Sequence, residues 1–181
     1  MGEDTVHERP RVSVVLPALN EAGRIASILD DAASFFQREG LTYELIVAAD
    51  GTDGTREIVA ERARTDDRIT VLGSKERRGK GYGIRQGVAL ARGEIIGFAD
   101  ADNKTPFEQL GAFLTLLDAG RDVVIGSRRS PESLVERPQP LYRRWGSWAY
   151  RAVLHSFIGL RDLDDTQCGF KFFSGPLARA A

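Results

Sequence analysis

Short apolar runs alternate with segments of helical periodicity, and this alternation limits the possible folds more than any other feature of the chain. Val12-Ser13-Val14-Val15-Leu16 is a β-branched run that Pro17 stops. Asn20 is placed to cap a helix in which Ile25, Ile28, Leu29, Ala32 and Phe36 recur at helical spacing. A second strand is predicted from Tyr43 to Ala48, a helix around Arg56 to Arg64, and a third strand from Ile69 to Leu72. A glycine-rich turn then leads to a helix near Ile84 to Ala91, and Glu94 to Ala99 is the fourth strand. Thr105-Pro106-Phe107-Glu108 reads as a capping box with proline at the first helical position. It opens a helix carrying Phe107, Leu110, Phe113, Leu114 and Leu117; Asp122 to Gly126 is the next strand, and Pro176 opens a further helix. Strands apolar on both faces that alternate with helices predict an α/β fold, a parallel sheet covered on both sides.

A chain of 181 residues is long enough for one domain whose core needs no staples. The expected organisation is a flexible leader over residues 1–11 followed by a single domain over 12–181. A net charge of −1 excludes a bulk electrostatic nucleic-acid binder, so no nucleic-acid partner is expected. Cys168 is the sole cysteine, which excludes a disulfide framework and a cysteine zinc site and fits a reducing, cytoplasmic setting. Met1 to Arg11 is polar, without the apolar stretch of a signal peptide. No apolar run approaches the roughly 18 residues that cross a bilayer.

Ligands of parallel α/β sheets bind beyond the carboxyl ends of the strands, where Pro17–Glu21, Asp50–Thr55, Asp100–Asp102 and Ser127–Arg129 all fall. In Asp100-Ala101-Asp102 the two carboxylates stand at i and i+2 of an extended segment and therefore share a side. Burying two like charges is costly, and a divalent cation would offset it. Mg²⁺ or Mn²⁺ is typically held by one or two carboxylates together with water and substrate phosphates. Taken alone, the triplet equally fits a strand end at Asp100 and a turn start at Asp102. Two nucleotide signatures are missing: Leu16 is followed by Pro-Ala-Leu-Asn-Glu rather than a Gly-x-Gly-x-x-Gly turn, and Gly79-Lys80 is followed by Gly81 rather than Ser or Thr. The segment Gly79-Lys80-Gly81-Tyr82-Gly83 is either a turn whose amides and lysine approach an anion or a surface turn made basic for solubility.

Six segments taken together resemble the family 2 glycosyltransferases of the GT-A fold, in particular the polyprenyl- and dolichyl-phosphate sugar synthases of the dolichyl-phosphate β-glucosyltransferase type. They are Val14–Glu21, Asp50–Thr55, Arg78–Gly81 with Arg85 and Gly87, Ala99–Asp102, Gly126–Arg128, and Asp165-Thr166-Gln167-Cys168-Gly169-Phe170-Lys171, which is the most discriminating. The resemblance implies a mostly parallel sheet with helices on both faces and an inverting transfer of a hexose. The donor would be a nucleotide-diphosphate sugar of the UDP-glucose or GDP-mannose type and the acceptor a polyprenyl phosphate. It implies that Pro17, Leu19 and Glu21 line the nucleotide pocket, with Glu21 near the ribose, and that Asp50 accepts the imide proton of the base. Lys80, Asp100, Ala101, Asp102 and Arg128 complete donor binding. Asp100 and Asp102 would hold Mg²⁺ or Mn²⁺ against the diphosphate, and Arg128 would face phosphate with its planar fork. The catalytic set implied is Asp100, Asp102, Arg128 and Asp165. Glu21 also suits a helix N-terminus, Asp50 a turn and Arg128 a solvated loop.

The acceptor chemistry follows from protonation. A phosphate monoester, with its second pKa near ~6, is largely dianionic at neutral pH and attacks without a general base. The chain has two histidines, His7 in the leader and His155 with no obvious partner. Arg128, Arg129, Arg137, Arg143, Arg144 and Arg151 stand against only Glu132 and Glu136, which reads either as a solvated face or as a clamp for a lipid phosphate at the inner membrane surface. Three departures from the family pattern stand out: Ala49 precedes Asp50 in place of a second aspartate, Leu19 replaces a tyrosine, and Lys104 stands where mannose-transferring relatives carry glutamine. Relatives continue beyond the position of Ala181, so the chain is expected to be truncated at its C-terminus. The competing readings are a transferase with a soluble or polysaccharide acceptor and a nucleotide-sugar-binding domain without turnover.

Overall fold

β1 (Val12–Leu19) lies between two neighbours, and that placement accounts for Val12, Val14, Val15 and Leu16 being wholly buried. A computed structural model describes residues 9–101, 105–126 and 168–180. Their elements are α1 (Ile25–Arg38), β2 (Tyr43–Asp50), α2 (Thr55–Ala63), β3 (Ile69–Leu72), α3 (Lys80–Leu90) and β4 (Ile95–Ala99). A 3-10 turn (Phe107–Gln109), α4 (Leu110–Asp118), β5 (Val123–Ile125), β6 (Phe170–Ser174) and α5 (Gly175–Ala180) follow. The sheet order is β3-β2-β1-β4-β6-β5. β1 runs parallel to β2 from Val12↔Tyr43 to Leu19↔Asp50, and parallel to β4 from Val12↔Ile95 to Val15↔Phe98. The α/β fold expected from the alternation is the one observed. Residues 1–124 with 169–181 form one compact unit and residues 125–168 a second, of which only 125, 126 and 168 are described.

Helix α1 turns Ile25, Ile28, Leu29, Ala32, Phe35 and Phe36 inward, and each of the larger side chains among them contributes about 1.5–3 kcal/mol by its burial. Phe36 stacks on Tyr43 at a centroid distance of 4.5 Å, joining that helix to the start of β2. Helix α3 is glycine-rich because it sits unusually close to the sheet. A Cβ at Gly87 would lie 2.5 Å from Val15 Cγ1, and one at Gly83 3.0 Å from Ala48 Cβ. These glycines are four residues apart, so both occupy the face turned to the sheet. Leu90, Leu116 and Leu177 are exposed large apolar residues. Among the described residues, no helix is long and apolar enough to cross a membrane.

Five local expectations are corrected. Pro17 does not stop β1; the strand continues to Leu19, because the β4 ladder has already ended at Val15 and a missing N–H there leaves no gap in it. Asn20 does not cap α1, whose N-cap is Arg24 without a side-chain cap bond; it takes φ 56° and its Oδ1 accepts the Thr52 N–H at 3.3 Å. Asparagine tolerates that left-handed conformation. The Gly79–Gly83 turn is instead the first turn of α3, with Gly79 at φ 94° and the Tyr82 and Gly83 amides donating to its carbonyl at 3.1 Å. The capping box does not form: Pro106 is the N-cap, extended at ψ 143°, and a 3-10 turn precedes α4. Glu108 pairs with Arg38 at 3.4 Å instead of reaching back.

The fifth correction matters most for the site, since β6 was not foreseen. It pairs antiparallel with β4 from Ile95↔Ser174 to Ala99↔Phe170. Phe170 and Phe172 are fully buried and meet tilted at 5.0 Å, and Phe113 stands edge-on to them at 5.1 and 5.9 Å. Gly97 makes room for this cluster, for a Cβ there would lie 2.2 Å from Phe172 Cδ1.

Candidate active site

Three rim loops are tied to one another by side chains rather than by sheet. The Thr55 hydroxyl accepts the Glu21 N–H at 2.9 Å and donates to Asp53 Oδ1 at 2.6 Å. Asp53 Oδ1 also accepts the Thr55 N–H at 3.0 Å, and its Oδ2 accepts the Ala22 N–H at 2.9 Å. The bonds from the Thr55 hydroxyl and the Ala22 amide hold the Asp53 carboxyl below its ordinary value of 3.8. The loop after β1 is thereby fastened to the loop after β2. Sequence reading placed Asp53 in the right loop without seeing this role; Asp-x-Thr, which closes an Asx-type turn, was the available signal.

Asp50, at the carboxyl end of β2, fastens the third loop. Its Oδ2 accepts the Arg78 N–H at 2.8 Å and its Oδ1 the Ser74 N–H at 3.2 Å. Gly51 N–H donates to Ser74 O at 3.0 Å. The segment leading into α3 is therefore held over the end of β2, and it brings Arg77, Gly79 and Lys80 to the rim.

Between these loops lies a cleft of about 330 Å³ lined by Pro17, Leu19, Glu21, Asp50, Lys80, Asp100 and Ala101, among others. Seven of the ten residues singled out from the sequence are thus brought together. Asp102, Arg128 and Asp165 lie outside the described residues. Glu21 Oε2 is buried without a hydrogen-bond partner; the Arg24 guanidinium stands 3.4 Å away but does not donate to it. A buried carboxylate oxygen left without a donor is unfavourable, and the Arg24 guanidinium offsets its charge.

Asp100 leaves the sheet one residue beyond the Ala99↔Phe170 pair, and its N–H donates to Gly169 O at 3.0 Å. Gly169 is needed here because a Cβ would lie 1.8 Å from Asp100 Oδ2. The Asp100 side chain is 37 % exposed, and its Oδ1 forms an ion pair with Lys80 Nζ. Lys80 Nζ also stands 5.7 Å above the Phe98 ring. Among the described residues no group of three or more His, Cys, Asp or Glu is gathered as a metal site. A carboxylate lining a cleft is nevertheless the oxygen donor that Mg²⁺ or Mn²⁺ takes when phosphates complete its shell.

A mostly parallel sheet with an antiparallel strand beside β4, and a cleft at the carboxyl ends of β1, β2 and β4, defines a GT-A-type α/β protein. The chain belongs to glycosyl transferase family 2, whose profile matches residues 13–174. The family resemblance carried by the sequence motifs is thereby shown. The chain is similar to a dolichyl-phosphate beta-glucosyltransferase of Drosophila melanogaster, 34% identical over 182 aligned positions that cover 93% of this chain and 56% of the relative. It thus spans just over half the length of that protein. Among solved structures it is similar to glucosyl-3-phosphoglycerate synthase of M. tuberculosis, with TM-score 0.64 and 28% identity over 93% of this chain and 59% of that one. A mannosyltransferase from Pyrobaculum calidifontis in complex with GDP-Man and Mn²⁺ shares the fold, with TM-score 0.59 and 24% identity over 93% of this chain and 45% of that one.

Proposed function

We propose that this chain is the donor-binding part of an inverting, metal-assisted glycosyltransferase that moves a hexose from a nucleotide-diphosphate sugar to a polyprenyl phosphate. The observation that carries the proposal is the convergence of Glu21, Asp50, Lys80 and Asp100 on one cleft at the strand ends. Glu21, which lines the cleft, accepts a ribose hydroxyl. Asp50 spends one bond per carboxylate oxygen on the Ser74 and Arg78 amides, which leaves lone pairs for the imide proton of a base. Lys80 meets a phosphate oxygen of the donor as a point charge. A divalent cation, Mg²⁺ or Mn²⁺, would be held by Asp100 with Asp102 and, when bound, neutralises charge on the departing diphosphate as a Lewis acid.

An oxygen of the acceptor phosphate attacks the anomeric carbon as the bond to the nucleoside diphosphate breaks, and configuration inverts. No side chain removes a proton, because a phosphate monoester carries none at neutral pH that must leave. Arg128 and the arginines that follow it in sequence serve the two phosphates, and Asp165 completes the catalytic set; the family motifs support these roles. The dolichyl-phosphate acceptor named for the fruit-fly relative supports a lipid phosphate, and with it a peripheral position at the inner face of a membrane. The second reading, a soluble acceptor, is favoured by the likeness to a glucosyl-3-phosphoglycerate synthase. A phosphate monoester is common to both.

The test is transfer of radiolabelled sugar from UDP-glucose or GDP-mannose, with Mn²⁺, to polyprenyl phosphate or to 3-phosphoglycerate. Label entering the organic phase is the expected result. Label confined to the aqueous acceptor supports the soluble-acceptor reading, and nucleotide-sugar binding without transfer to either acceptor overturns the catalytic one.

A further inference from the structure

The geometry points to Lys80 as a built-in counter-ion that occupies the cation position at Asp100 until a diphosphate arrives, so that metal and nucleotide bind cooperatively. The inference rests on the donor-binding reading above and concerns the order in which that site fills.

Three placements support it. First, Lys80 is not a freely wandering surface lysine. It opens α3, whose seat on the sheet is set by Gly87 against Val15 and Gly83 against Ala48, and the Arg78 amide just before it is held by Asp50. Second, its ammonium pairs with Asp100 Oδ1 and lies 5.7 Å over the Phe98 ring. Third, Asp100 is set at the cleft by its backbone: its N–H is bonded to Gly169 O, and its Oδ2 lies over Gly169 in space that only a glycine leaves open.

A cation entering alone must therefore displace the ammonium from Oδ1 and leave two positive charges close together. When a diphosphate enters as well, the ammonium gains phosphate oxygens to face and the carboxylate is released to the metal. Each ligand removes a cost from the other, which is positive coupling, and linkage makes it reciprocal. The coupling is carried by a side-chain exchange and needs no movement of the sheet.

The test measures free Mn²⁺ by electron paramagnetic resonance during titration of the chain, with and without UDP. In the wild type, UDP should tighten Mn²⁺ binding markedly. In Lys80→Met, Mn²⁺ alone should bind about fivefold more tightly, the scale of one partly exposed ion pair, and the tightening produced by UDP should shrink by at least the same factor. Lys80→Arg, which keeps the charge, should behave as wild type. Should Lys80→Met fail to fold, Lys80→Gln carries the same expectation. Unchanged binding of Mn²⁺ alone in the neutral variant, with coupling intact in the wild type, overturns the counter-ion role and leaves donor binding standing. Absence of any coupling between Mn²⁺ and UDP in the wild type overturns both.

Discussion

Replacing Gly169 with alanine should disable the cleft while leaving the fold largely intact. The new Cβ would lie 1.8 Å from Asp100 Oδ2 and 2.2 Å from its Cγ. The backbone at 169 cannot retreat, because its carbonyl accepts the Asp100 N–H and the next residue, Phe170, is fully buried in the ring cluster. The Asp100 carboxylate, 37 % exposed, is the part that moves. An off-rotamer side chain costs about 0.5–1.5 kcal/mol. Losing the half-exposed pair with Lys80 adds ~1 kcal/mol at most. The total, about 1–2 kcal/mol, corresponds to a fall in Tm of roughly 2–8 °C for a chain of this size. Binding should suffer more: one charge-assisted contact is worth about 1.5–3 kcal/mol, so Mn²⁺-dependent UDP affinity should drop about 10- to 150-fold. Gly97→Ala is the contrast, because its Cβ would strike the Phe172 ring at 2.2 Å inside the core and should cost about 3 kcal/mol through overpacking. Thermal unfolding paired with UDP titration reads both quantities. If folded Gly169→Ala binds UDP and Mn²⁺ within twofold of wild type, the placement of Asp100 in the site is wrong.

Two further outcomes are expected. The carboxyl of Asp53 is held below its ordinary 3.8 by the Thr55 hydroxyl and the Ala22 amide, so its contribution to the rim is full above that value and is lost as pH falls through the lower folded value. Protection factors of the Ala22 and Thr55 amides should fall over that acid range, and Asp53→Asn should remove the dependence; an identical acid profile in the variant would refute it. Gly87→Val should cost about 3 kcal/mol or more in denaturant unfolding by driving α3 off Val15, and a loss below ~1 kcal/mol would show that the helix is not seated by its glycines.

What the sequence revealed was the part of the fold written in periodicity. Ile69 to Leu72 was read with its observed limits, and the other parallel strands to within one or two residues at most ends, because their apolar runs differ sharply from the flanking turns. The errors fall where tertiary contacts override local preference. Gly79 to Gly83 carries poor helix formers, yet the close seat of α3 favours glycine at 83, and the helix starts at Lys80. Asn20 suits a cap but serves the Thr52 amide of the neighbouring loop. β6 is short, and its register against β4 follows from a pairing across some 70 residues of sequence, which no local pattern discloses. The cleft was legible by a different route: the carboxyl ends of the strands are set by topology once the strands are known, so Pro17, Leu19, Glu21, Asp50, Asp100 and Ala101 could be grouped without coordinates, and the family resemblance added Lys80. The supports beneath them, Gly169 under Asp100 and Asp53 between two loops, were not legible, because each acts through a contact rather than through its own chemistry.

Calorimetric titration of UDP-glucose and GDP-mannose with and without Mn²⁺, for the wild type and Asp100→Asn, tests most directly whether Asp100 holds a cation that in turn holds a diphosphate. Binding of one of the two donors that requires Mn²⁺ in the wild type and is lost in Asp100→Asn is the predicted result. Failure of both to bind with Mn²⁺ present, or equal affinity in the two proteins, would contradict it.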